Sequence, residues 1–286
     1  MAIFLAIAAT WAAQAGAAGS ANSAGCFHVF DALLYVGKPD LRSAGMEPIS
    51  VEDPHHWLAP GQVKGDIPTL TAMRAKLARK VDLRRVVVLD AEDWGTTGSA
   101  QEIERTASNL KTLADRARSA GISGTIGIYS NLPIRDYWRA VAGPGSDKYR
   151  QWQAENDGMS AVVSSVDALF PSLYTFYPDE AGWVEYAKEN IAEARRLAPG
   201  KPIYAFIWPQ FHDSNKLLGG TPIPAGYWAL QLQTLAQVAD GVVIWGGYQL
   251  PWDKTAGWWQ ATQAFLESRP GKCTAPEAPK EVHVNQ

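Results

Sequence analysis

Cysteine is scarce in this chain. Cys26 and Cys273 are the only two in 286 residues, so at most one intramolecular disulfide is available. Basic runs are missing too: no stretch of Lys or Arg exceeds a pair, and the formal net charge is −3. That leaves no electrostatic footprint for nucleic acid or an anionic membrane surface, and neither partner is expected. Past the first residues no stretch reaches the ~18 consecutive apolar residues of a membrane span. There is no internal repeat, no low-complexity tract beyond an Ala-rich start, and no linker that would split a domain. Charge is also modest, at 19% against 47% hydrophobic residues, which excludes a disordered chain and leaves material for a sizeable core.

What is present begins with a short apolar run, Ile3 to Ala9, followed by small residues that include Ala13-Gln14-Ala15. This has the form of a signal peptide without the usual basic n-region, so residues 1–24 read as a leader and the mature protein as secreted or periplasmic. Residues 25–270 read as one domain, and the Pro- and charge-rich residues 271–286 as a disordered tail. An exported chain tends to pair Cys26 with Cys273, since a barrel brings its two ends together; two free thiols are the alternative. The protein is expected to be a monomer.

Short β-branched or aromatic runs alternate with segments of helical period, which predicts parallel strands with crossover helices. Strand candidates are residues 27–35, 48–51, 86–90, 125–129, 168–174, 202–208 and 242–245. The fold class is therefore α/β, a distorted TIM-type barrel of about seven parallel strands. Ser99 and Glu102 form a capping box ahead of the stripe Ile103, Ala107, Leu110, Ala114 and Ala117, with Gly121 ending the helix. Pro68 opens a helix marked by Leu70, Met73, Leu77 and Val81; Trp183, Ala187, Ile191, Ala194 and Ala198 mark another before Gly200. Residues 130–167, interrupted by Gly143-Pro144-Gly145, read as a long loop plus a short helix around Trp152.

Parallel strands buried on both faces should be almost wholly apolar, yet Val86-Val87-Val88-Leu89 runs into Asp90-Ala91-Glu92-Asp93-Trp94. Carboxylates therefore crowd the C-terminal end of a strand, the end where barrels carry their active sites. Alternation along the strand points Asp90 and Glu92 to one side and turns Asp93 away. Two carboxyls sharing a small site cannot both ionise cheaply, so one holds a proton near neutral pH, as a general acid must. Two other uses of the same residues stay open: a metal site drawing on His55-His56 or His212-Asp213, and capping of the helix after Ser99. No metal and no cofactor is expected. Other strand ends add aromatic and polar groups: Tyr129, Tyr174, Trp208 with His212 and Asp213, and Trp245 with Tyr248. With 12 Trp in the chain, such a ring around two carboxyls describes a sugar cleft, although any one Trp is more often core filling.

These residues resemble the hyaluronidase family, glycoside hydrolase family 56. Its acid motif, D-x-E followed by x-W, has the form of Asp90 to Trp94. A downstream family segment is similar to Gln153-Ala154-Glu155-Asn156-Asp157 and then Leu169-Phe170-Pro171-Ser172-Leu173-Tyr174, and its last-strand motif to Gly241 through Trp245, in the same order. The resemblance covers roughly residues 26–270 with gaps and implies a distorted barrel, a disulfide between Cys26 and Cys273, and an N-acetylhexosamine-containing polysaccharide as substrate. It further implies a retaining reaction in which Glu92 is the proton donor and the substrate's own acetamido group the nucleophile. Asp90 would orient that group, Tyr174 help hold it and Trp245 floor the subsite, with Trp94, Tyr129, Trp208, His212, Asp213 and Tyr248 as further substrate-binding positions. This chain departs from the family in lacking its second cysteine pair and in having Gly95-Thr96 where the family has Arg-Pro after the acid motif. The family's Tyr-Asp near the sixth strand end appears as Phe211-His212-Asp213. Without that Arg no positive partner for a uronate carboxylate is apparent, so the polymer is left open between hyaluronan, chondroitin and related glycans. A non-catalytic glycan-binding barrel and a family 25-type, lysozyme-like muramidase are the alternatives; retention of both carboxyls opposes the first and the ordered aromatic motifs the second.

Overall fold

The computed structural model describes residues 26–80 and 82–269. The expected leader and tail, Val81, and Cys273 with its expected bond to Cys26 lie outside the described residues.

In chain order the elements are β1 (His28–Leu33), β2 (Glu47–Pro48), β3 (Ser50–Glu52), α1 (Leu70–Lys80), β4 (Val87–Leu89), α2 (Ala100–Ala120) and β5 (Ile126–Ile128). There follow α3 (Tyr137–Val141), α4 (Asp147–Gly158), α5 (Glu180–Leu197), β6 (Tyr204–Ile207), α6 (Ala225–Val238), β7 (Gly241–Gly246) and α7 (Gly257–Ser268). The strands form two sheets, β2-β1-β7-β6 and β3-β4-β5, and every pairing is parallel. This is the α/β barrel architecture expected from the alternation of strands and helices. No helix among the described residues is long and apolar enough to cross a membrane.

The ladder is interrupted in two places, the first of them with a local cause. The candidate at 168–174 does not form a continuous strand because Pro171 has no N–H to give to a neighbour. It makes single bridges instead, Tyr129 with Phe170 on one side and Leu169 with Ile203 and Ser172 with Phe206 on the other. The candidate at 48–51 bends at Ile49, so that its first half pairs with β1 and its second with β4.

Inward-pointing residues of successive strands fill the barrel: Phe30, Val88, Phe170, Tyr204, Phe206 and Val243 are buried together. Each large side chain contributes about 1.5–3 kcal/mol by leaving water. Gly127 is required in this layer, since a Cβ there would stand 2.2 Å from the Phe170 ring. Outside the strands, the α2 stripe of Ile103, Ala107, Leu110, Ala114 and Ala117 is buried as its period predicts. The Ser99–Glu102 capping box is formed, and Gly121 ends the helix at φ 124°. Residues 130–167 are more helical than their sequence suggests, with α3 capped by Asp136, α4 capped by Ser146 and a 3₁₀ turn over Ser160–Ser165. The two buried Arg269 donors to Phe27 O and Gly45 O, each 3.0 Å, tie the end of α7 back to the first strand.

Candidate active site

The backbone of β4 continues in register past its last ladder residue. Asp90 N donates to Glu52 O at 2.9 Å, and Tyr129 N donates to Leu89 O at 3.0 Å. The alternation of the strand therefore persists, and Asp90 and Glu92 both face a cavity of about 240 Å³ at the C-terminal end of the barrel. Tyr129, Tyr174, Trp208, Trp245, His212 and Asp213 line the same cavity. Asp93 turns away, toward His55 and Lys64.

The two carboxyls sit at different depths. Glu92 is at the mouth, with its side chain 54% exposed and Oε2 3.8 Å from an Arg135 nitrogen. Asp90 is deeper, and its Oδ1 is buried without a hydrogen-bond partner among the described residues. Burial first, and the neighbouring charge of Glu92 second, push the Asp90 carboxyl up to about 7. Of the pair it is therefore Asp90, the one withdrawn from water, whose carboxyl holds its proton toward neutral pH.

Aromatic groups close the floor and one wall. Tyr174 stacks on Trp245 with ring centroids 5.9 Å apart and 26° between planes, and Trp208 stands edge-on to Trp245 at 5.4 Å. Gly246, at φ 136°, makes this possible: a Cβ there would lie 2.6 Å from the Trp208 ring. Tyr129 gives its hydroxyl proton to Ser172 Oγ at 3.0 Å. Burial raises the Tyr174 phenol well above its ordinary value and Tyr129 to about 12, so both remain proton-bearing groups at any physiological pH. Burial and the Arg135 charge lower His212, favouring the neutral ring. Its Nδ1 accepts from Ser214 N at 3.1 Å, which puts the ring proton on Nε2.

Two predicted positions lie elsewhere. Trp94 donates its indole N–H to Gly65 O at 3.1 Å and packs beside the outer core, because the chain bends at Asp93 and Trp94 and the alternation that serves Asp90 and Glu92 ends there. Tyr248 is 67% exposed and does not line the cavity, since the Gly246-Gly247 turn leads the chain outward. Of the residues considered for a metal, His212 and Asp213 share the cavity and His55 is wedged between Asp53 and Asp93, but no cluster suited to a metal ion occurs among the described residues. Helix capping is served by Ser99, not by the carboxyls.

Arg135 lines the cavity and corrects the expectation that no positive partner is at hand. It lies in the segment read from sequence as loop, six residues past Tyr129 at the end of the strand candidate 125–129, and strand-end position was the signal that could have found it. Its backbone is clamped from α4: the Ile134 N–H donates to Asn156 Oδ1 at 2.8 Å, and Ile134 O accepts from Trp152 Nε1 at 2.8 Å. Buried Asn131 joins the β4 and β5 ends by donating to Ala91 O at 3.2 Å and Tyr129 O at 2.9 Å.

No protein-family model and no curated protein sequence matches the chain. Among solved structures, bee venom hyaluronidase is similar with a TM-score of 0.60 at 17% identity, over 84% of this chain and 97% of that one. The same bee enzyme in complex with a hyaluronic acid tetramer gives a TM-score of 0.57 at 16% identity, over 85% and 97% of the two chains. At such identity the likeness speaks for the fold, and the chain is accordingly built on the distorted β/α barrel that bee venom hyaluronidase also has.

Proposed function

We propose that this protein is an endo-acting glycoside hydrolase that cleaves an N-acetylhexosamine-containing, hyaluronan- or chondroitin-like polysaccharide with retention, using a single carboxylic acid and the substrate's own acetamido group. The observation that carries the reading is the division between the two carboxyls. Asp90 offers a buried oxygen without a protein partner among the described residues, while Glu92 stands at the cavity mouth where a glycosidic oxygen would lie. Bee venom hyaluronidase, which shares the fold, has been crystallised with a hyaluronic acid tetramer.

In the proposed reaction the acetamido N–H donates to Asp90, which turns the acetamido oxygen toward the anomeric carbon. Glu92 gives its proton to the leaving oxygen as that C–O bond breaks, and the acetamido oxygen forms the new bond to carbon, leaving a cationic oxazoline ring. In this reaction the proton the pair gives up is the one on Glu92, and Asp90, whose carboxyl is pushed up to about 7, acts in its ionised form to stabilise the charge on that ring. Water then attacks the anomeric carbon, returns a proton to Glu92 and reopens the acetamido group. Tyr174 donates its phenolic proton toward the acetamido oxygen, and Trp245 underlies the sugar ring. Arg135 supplies the cation that an adjoining uronate requires. Export of the mature chain and a Cys26–Cys273 bond belong to the same reading.

The test is a panel of hyaluronan, chondroitin, chitin oligomers and peptidoglycan scored by new reducing ends. We expect cleavage of an N-acetylated polymer and little cleavage of its de-acetylated form, which lacks the nucleophile. Equal turnover of the de-acetylated polymer overturns the substrate-assisted step, and cleavage of peptidoglycan alone assigns the site to a muramidase.

A further inference from the structure

Resting on the glycoside hydrolase reading, we infer that Trp138 and Tyr177 form a second, distal sugar subsite on the α3 side of the cavity. They would carry the C–H face of a ring of the substrate chain that has already left the catalytic pocket. At about 240 Å³ the cavity falls below the ~300–1,000 Å³ of sites that enclose a drug-sized ligand, so a polymer must cross the rim. Trp138 and Tyr177 are 61% and 36% exposed, an unusual placement for large aromatics that the core does not use. Their ring centroids are 5.2 Å apart and their planes tilted by 49°, which makes one continuous apolar surface.

A chain of ring contacts links this pair to the pocket. Tyr174 meets His212 at 6.1 Å, His212 meets Phe176 at 4.8 Å, and Phe176 meets Tyr177 at 6.4 Å between centroids. Asn215 ties the His212 loop to this segment by donating to Phe176 O at 2.8 Å. The platform is also held rigid, so that binding orders little. Tyr137 stands edge-on beneath Trp138 at 5.1 Å, and Asp136 caps α3 by accepting from Arg139 N at 2.9 Å. The Arg139 guanidinium then joins Asp136 and Glu155, at 2.7 Å each. A stacked sugar face is neutral, so this contribution is insensitive to ionic strength, in contrast to that of Arg135.

The experiment compares wild type with Trp138→Ala, Trp138→Phe and Tyr177→Ala on long hyaluronan and chitin chains and on the shortest oligomer of each that is cleaved. Affinity electrophoresis in gels containing the same polymers runs in parallel. For Trp138→Ala on long chains we expect KM to rise roughly 3- to 10-fold with kcat unchanged, the scale of one aromatic contact. Kinetics on the shortest oligomer should match wild type, Trp138→Phe should recover most of the loss, and the KM ratio should hold at 1 M salt. An unchanged KM on long chains, or an equal loss on short and long ones, overturns the platform while leaving the hydrolase reading intact. A wild type that neither cleaves nor is retarded by any polymer of the panel overturns both.

Discussion

The ends of β4 and β5 are neighbours in one sheet and face one cavity, but they are built in opposite ways. At β4 the chemistry follows from a single extended stretch: Val87, Val88 and Leu89 are buried, and the same alternation delivers Asp90 and Glu92 to the cavity. At β5 the chain turns abruptly, with Ser130 at φ 61°, a left-handed conformation rare outside glycine. The path to Arg135 is held by Asn131 within the turn and by Trp152 and Asn156 from α4. The first end carries two carboxyls on a stiff ladder; the second carries a guanidinium on a loop that packing makes stiff.

If that contrast is right, the largest effect belongs to β4. Glu92→Gln keeps size and hydrogen bonding but removes the acid, and kcat should fall by roughly 10²–10⁴ with KM little changed. Near-wild-type turnover would take the donor role from Glu92. Asp90→Asn probes the same strand end through stability. The folded-state carboxyl titrates near 7 against an ordinary 3.8, so between those values the native chain binds more protons than the unfolded one. Wild-type stability then contains a contribution that is complete below about pH 4 and lost as pH rises through about 7, at most about 4 kcal/mol. Asp90→Asn should match wild type in Tm at pH 4 and exceed it at pH 8. Parallel Tm profiles for the two proteins would contradict a raised Asp90.

Effects at β5 should be smaller and should appear in binding. Arg135→Ala removes a charged donor worth about 1.5–3 kcal/mol, so KM for a uronate-containing polymer should rise roughly 10- to 10²-fold while a neutral chitin oligomer is unaffected. Arg135→Lys should recover part of the loss, and 1 M salt should shrink the difference. A loss of kcat without change in KM would move Arg135 into the chemistry of β4.

The same contrast explains what could be read from sequence. The strand positions and the α2 stripe are set by local alternation and period, and Asp90 and Glu92 interrupt an apolar strand, so all were legible. Trp94 was misplaced because its fate depends on Gly65, 29 positions away. Tyr248 was misplaced because the left-handed Gly246 and Gly247 redirect the chain after Trp245. Arg135 and Trp138 lie in residues 130–167, where caps at Asp136 and Ser146 and contacts from α4 determine a path that no periodicity announces. The segment Gln153 to Asp157, matched to a family motif, contributes no cavity-lining side chain. Its Asn156 and Gln153 bond instead to buried Glu193, at 3.1 and 2.9 Å.

Asn156 gives the finest test of how the β5 end is held. Its Oδ1 accepts the Ile134 N–H at 2.8 Å, and both residues are buried. Asn156→Ala leaves that N–H unpaired, at a cost of about 1–3 kcal/mol, and frees Arg135 to leave its position. Tm should drop by several degrees, and KM for the acidic polymer should rise by a few-fold, less than for Arg135→Ala, with kcat unchanged. A general loss of stability could lower Tm alone, so the KM readout needs a partner. In the double variant Asn156→Ala with Arg135→Ala, KM should be no higher than for Arg135→Ala by itself, since the residue being positioned is gone. Glu193→Gln weakens the same buried network while leaving the Ile134 N–H bonded, and should lower Tm without moving KM. Additive KM effects in the double variant would show that Asn156 acts on the cleft by a route other than Arg135, and the clamp would lose its role in recognition.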